Sequence, residues 1–123
     1  MALLGTAGAN AALNGLAGVG STNVMPFTAL HTATTGTTGT NENANSGSYA
    51  RQATSWNAAS GGTMTNSGAL TFSTLGTVAV THAGEWSSGT YGAGNFAIGA
   101  PLGSSVTSAS ITIAAGALSI AAS

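Results

Sequence analysis

The chain has 123 residues and three charged side chains, Glu42, Arg51 and Glu85, whereas about a quarter of an ordinary globular chain is charged. With one Arg and no Lys it lacks the basic patch that nucleic acid requires, and a Schiff-base lysine, a lysine-bearing phosphate loop and a polybasic membrane patch are excluded too. Cys is absent, so disulfides and thiolate sites are also excluded.

Ala, Gly, Thr and Ser supply 78 of the 123 residues, and large apolar or aromatic residues only 28. That is a thin core for the length and favours a fold completed by neighbouring chains. Disorder normally joins such poverty to high net charge, but here the net charge is −1. The length fits a single domain, 1–123, with an N-terminal arm or helix over 1–25 and a β domain over 26–123.

The first twenty residues resemble a signal peptide only superficially. They lack a basic start, and Asn10 and Asn14 interrupt the apolar run. Ala9, Ala12, Leu13 and Leu16 recur at helical spacing, with Thr6 as the expected N-cap and Gly18 as the stop. The period then changes to two. Phe27 to Thr32 alternates after Pro26, and residues 34–48 form a long polar loop. Tyr49 to Asn57 alternates again, followed by the turn Ser60-Gly61-Gly62. Ala69 to Phe72 and Thr77 to His82 follow, parted near Leu75-Gly76, and Tyr91 to Ile98 is a further strand. Val106 to Ile113 and Ala117 to Ile120 read as a closing hairpin around Ala115-Gly116. The run from Ile111 to Ala122 is too short to span a bilayer, so no membrane is expected. Seven or eight short strands and one short N-terminal helix predict a mainly β chain, an antiparallel β-sandwich or barrel.

Titratable groups are few. In His82-Ala83-Gly84-Glu85-Trp86 a base and an orienting carboxylate are suggested, yet i and i+3 on a strand point to opposite faces. A Gly-x-Ser-x-Gly elbow is absent, and His82 reads as a structural hydrogen-bonding residue. His31, Glu42, His82 and Glu85 would suffice in number for zinc, but their spacing is not diagnostic. Gly92 to Ala97 matches a dinucleotide fingerprint by chance in a chain with 19 Gly, and no βαβ unit surrounds it. No enzyme activity, metal or cofactor is therefore expected. Trp56 and Trp86, with Tyr49 and Tyr91, suit sugar stacking, whereas their place after alternating stretches favours core or interface anchoring. Arg51 should pair with Glu42 or Glu85 and fix the 34–48 loop against the sheet. The structural and interface candidates are thus Glu42, Tyr49, Arg51, Trp56, His82, Glu85 and Trp86.

Leu30-His31-Thr32-Ala33, Thr38-Gly39-Thr40-Asn41-Glu42, Ser48-Tyr49-Ala50-Arg51-Gln52 and Trp56 form an ordered series. It continues through Asn66 to Phe72, Val80 to Trp86 and Ile113 to Leu118. This series resembles small virion proteins of tailed bacteriophages, especially those of actinobacteria. The resemblance implies a structural role, either as a capsid decoration protein or as a tail-fibre-like minor tail protein. A 123-residue chain without coiled coil or shaft repeat is short for a fibre, which favours decoration of the capsid surface. The implied partners are the major capsid protein and the chain itself, as a homotrimer on local threefold axes. Met1 to Met25 and the 34–48 loop are the expected contact segments.

Overall fold

The structure, a computed structural model, describes residues 5–18, 23–43, 49–73, 75 and 79–122. One helix, α1 (Thr6–Leu16), precedes eight strands among the described residues. These are β1 (Phe27–His31), β2 (Gln52–Ala53), β3 (Thr63–Thr65), β4 (Leu70–Ser73), β5 (Val80–Trp86), β6 (Phe96–Val106), β7 (Ser110–Ile113) and β8 (Ser119–Ala121). Every strand pair is antiparallel. The strands form one four-stranded sheet, β2-β1-β5-β6, and two small ones, β3-β8 and β4-β7.

Helix α1 starts one residue earlier than the sequence suggests. The carbonyl of Gly5 accepts the first helical bond, from Ala9 N at 2.9 Å, so Gly5 is the N-cap and Thr6 lies inside. Ala9 and Leu13, four apart on one face, are buried. The two Asn that break the apolar run tie the helix to the turn before β3. Asn10 Oδ1 accepts from Gly62 N at 2.7 Å, and Asn14 Oδ1 accepts from Ala59 N at 2.9 Å. One face of the helix, Ala9, Leu13 and Leu16, is therefore packed into or against the core, while Ala11 and Ala12 are exposed. No helix among the described residues is long and apolar enough to cross a membrane.

Strand alternation sets the layers. Leu30 pairs with Ala83 and Thr28 with Glu85, so these four share the inner face of the large sheet. Leu70, Phe72, Ile111 and Ile113 of β4-β7 and Met64 and Ile120 of β3-β8 meet Leu30, Val80, Ala83 and Ala100 in one hydrophobic core. This is the expected mainly β, sandwich-like arrangement. Burying each large side chain contributes roughly 1.5–3 kcal/mol, and fully buried Phe72 stacks on Tyr49 at 6.4 Å between ring centroids.

Several boundaries differ from expectation, each for a physical reason. The closing hairpin does not form. The chain does turn at 115–117, but β7 pairs with β4 and β8 with β3, because the reversal carries the chain from one small sheet to the other. Asn66, fully buried, holds this crossing. Its Nδ2 donates to the carbonyls of Gly68 and Ala114, and its Oδ1 accepts from Leu118 N. Of the 49–57 stretch only Gln52–Ala53 is strand, with Trp56 bridging to Asn66. β5 runs to Trp86, and Thr77 and Val78 of the expected strand lie outside the described residues. β6 begins at Phe96 rather than Tyr91 and continues to Val106, and three-residue β3 has no counterpart among the expected strands.

Candidate functional site

The outer face of the large sheet carries Phe27, Ala29, His31, Gly84 and Trp86, and the 34–43 segment folds over it. Residues 36–39 turn back so that Thr35 O accepts from Gly39 N and Thr40 N at 2.9 and 3.0 Å. Gly39 must be glycine here. Its φ is +74°, and an added Cβ would lie 2.5 Å from Trp86 Cζ2. The chain then runs beside β1, with Glu42 bridging to His31.

Arg51 is the centre of this assembly. Nε and Nη2 donate to the two carboxylate oxygens of Glu42 at 2.9 and 2.6 Å, a bidentate pair with side chains 0 % and 8 % exposed. Nη1 donates to the carbonyls of Ser88 and Ala93 at 2.8 and 2.9 Å, which ties down the β5–β6 loop. The guanidinium also lies 4.0 Å over the Trp86 ring. Tyr49 joins from the core side, donating to Glu42 Oε2 at 3.2 Å while its oxygen accepts from Leu30 N at 3.1 Å. Burial pushes the Tyr49 hydroxyl well above its ordinary pKa. One cation therefore fastens two loops and a strand to one sheet.

Trp86 stacks parallel to His31, with centroids 6.3 Å apart, and meets Phe96 edge-on at 5.4 Å. His31 Nδ1 lies 2.8 Å from Thr40 O, and since a carbonyl can only accept, Nδ1 carries the proton. Burial holds the His31 pKa below its ordinary value, which keeps the ring neutral. Its ring sits over Gly84, where an added Cβ would collide with Nε2. Gly84→Ala should therefore displace the ring and cost about 1–3 kcal/mol in urea unfolding. An unchanged midpoint would show that the ring has room to move.

Glu85 lies away from this cluster, on the inner face. It is fully buried, and burial pushes its pKa up to about 8. Oε2 is 2.7 Å from Thr28 Oγ1, which is 2.5 Å from Thr54 Oγ1, which donates to Gln52 O. The Thr28 hydroxyl donates to Oε2 and opposes this shift, but burial outweighs it and favours the neutral carboxyl near pH 7. Oε1 has no hydrogen-bond partner among the described residues.

The structure thus brings together Glu42, Tyr49, Arg51 and Trp86, and separates Glu85, Trp56 and His82 from them. Trp56 donates from Nε1 to Met25 O at 3.1 Å and lines a cleft of about 260 Å³ beside Asn23 and Asn57. His82 contacts its neighbour Thr81 through Nδ1 at 2.8 Å and faces a cleft of about 440 Å³ between residues 34–37 and β6. Glu85 points to the other side of the sheet, so the two do not form a base and its orienting carboxylate. Among the described residues no three His or acidic side chains gather in metal-binding reach. The Arg51 guanidinium covers one face of the Trp86 ring. Sequence reasoning missed Phe96, the Thr28–Thr54 pair and the Ser88 and Ala93 acceptors. Thr28 had a signal, a hydroxyl two residues from Leu30 on the inward register, whereas backbone acceptors leave none.

What these features define is a small β-structured domain whose polar chemistry is directed at holding its own loops in place. Residues 3–121 match the family model described as podophage GP4 fiber I protein gp80, and the chain belongs to that family. It is a virion protein of the phage fibre class, which supports the phage part of the resemblance; an actinobacterial host gains no support from the match. No curated protein matches the chain.

Proposed function

We propose that the chain is a non-enzymatic structural subunit of a phage fibre, held in the virion by apolar burial, backbone pairing and hydroxyl or amide hydrogen bonds. The family description supports a fibre over decoration of the capsid surface. The observation that carries the reading is where the charge lies. Arg51 and Glu85 are buried, and the Glu42 side chain is 8 % exposed and paired with Arg51, so the exposed surface bears almost no charge. Near-zero surface charge promotes association instead of keeping chains apart. The partners proposed are further copies of this chain and a neighbouring tail protein, in place of the major capsid protein. Localisation of the subunit on intact particles by cryo-electron microscopy tests this. Density confined to fibres at the tail is the expected result, and copies spread over the head shell would overturn it in favour of decoration.

A further inference from the structure

Past β2 the pairing with β1 continues by one bond, Thr54 N donating to Pro26 O at 2.8 Å, and then opens. The opening is the cleft of about 260 Å³ that Trp56 lines, with Asn23 on one side and residues 55–58 on the other. Met64, which is buried, and Ala17 at the end of α1 give it an apolar lining.

The indole is held at two points. Its Nε1 donates to Met25 O, and its backbone bridges to Asn66 between two bonds, Asn57 N to Thr65 O and Ser67 N to Ser55 O. Those flanking bonds take backbone groups of residues 55 and 57, so the N–H and C=O of Trp56 turn the other way. That is the side to which Thr54 N turns, the side of the cleft. Neither group has a hydrogen-bond partner among the described residues. Asn23 adds a donor, since its Oδ1 accepts from Met25 N at 2.9 Å and its Nδ2 is left over. Ser55, exposed, adds a hydroxyl at the rim.

An aromatic face, an apolar lining and separate donors and acceptors at the edge match the two-sided chemistry of a sugar ring. A pyranose is apolar across its C–H face and carries hydroxyls around its rim, and each hydroxyl both donates and accepts. Pockets for larger ligands run from about 300 to 1,000 Å³, so this one has room for a single ring. An extended peptide fits poorly, because the Thr54–Pro26 bond closes the open edge after one residue pair. An acidic sugar would lack a counter-charge, since Arg51 is committed to Glu42.

We propose that this cleft binds a neutral pyranose, the terminal sugar of a glycan. Trp56 supplies the stacking face, and its N–H and C=O together with Asn23 Nδ2 hold the hydroxyls. The site is independent of where the subunit sits on the particle.

Heteronuclear NMR of the full chain, titrated with methyl glycosides of glucose, galactose, mannose, rhamnose and N-acetylglucosamine, tests it. At least one glycoside should move the Trp56 indole signal saturably, with a Kd on the order of 1 mM, and leave that of Trp86 in place. Asn23→Asp and Asn23→Ser keep an oxygen for Met25 N but lose the Nδ2 donor. Each should melt near the wild type and bind that glycoside about fivefold or more weakly. Cyclohexylmethanol, a ring with one hydroxyl, should bind about tenfold or more weakly. No saturable shift at Trp56 from any glycoside would overturn the proposal. So would equal affinity for cyclohexylmethanol, or undiminished binding in both Asn23 variants.

Discussion

Arg51→Ala should lower stability by about 3–5 kcal/mol, because it strands the buried Glu42 carboxylate without its counter-charge. The carbonyls of Ser88 and Ala93 lose their donor and Trp86 its covering cation in the same step. Folded domains are stable by only about 5–15 kcal/mol, so the melting temperature should fall by roughly 10–20 °C. Arg51→Lys should recover little, since an ammonium cannot reproduce the two-point pairing or the flat stack. Arg51→Met combined with Glu42→Gln should recover more than Arg51→Met alone, because it removes the orphaned charge. A loss below about 0.5 kcal/mol for Arg51→Ala, within the range of ordinary surface changes, would show that this cluster does not hold the loops.

The second large effect is a pH dependence from Glu85. Its pKa is about 8 in the folded chain against an ordinary 4.5. A raised carboxyl pKa means that folding favours the proton, so the contribution of Glu85 is complete below pH 4.5 and declines as pH rises towards 8. The slope is roughly 1 kcal/mol per pH unit, with no further loss above that range. His31 acts in the opposite sense. Its pKa is lowered, so its contribution is present above 6.5 and is lost as pH falls through the folded value. The difference between wild type and Glu85→Gln, measured by urea unfolding from pH 4.5 to 8.5, isolates the carboxyl. It should shift steadily against the wild type up to about pH 8, whereas a flat difference would mean that Glu85 is ionised in the folded chain.

How far the sequence could be read depended on whether a feature was local. Phe27 to Thr32 and Ala69 to Phe72 alternate cleanly, and both became strands within a residue or two. Ala115-Gly116 does mark a reversal, yet the strands that flank it pair elsewhere, because turn chemistry sets direction and not partner. β6 was obscure because its Ala, Gly and Ser carry almost no apolar periodicity; the β5 ladder makes it a strand. Charge was the most legible feature of the site. With two carboxylates available, Arg51 had two candidate partners. Strand parity separates them, since Glu85 shares the inner face with Ala83 and Leu30. The backbone acceptors of Arg51 and the crossing held by Asn66 join segments distant in sequence, and no local pattern encodes them.

Three charges among 123 residues, two of them paired with each other and the third buried, leave a surface on which salt has little to screen. The direct measurement is retention of the subunit on purified particles washed in sodium chloride from about 0.1 M to 1 M, where the Debye length falls from about 10 Å to about 3 Å. Retention should stay level across that range and should hold or rise in sulfate, which strengthens apolar burial. Release of the subunit by moderate sodium chloride would contradict an attachment built on apolar and backbone contacts.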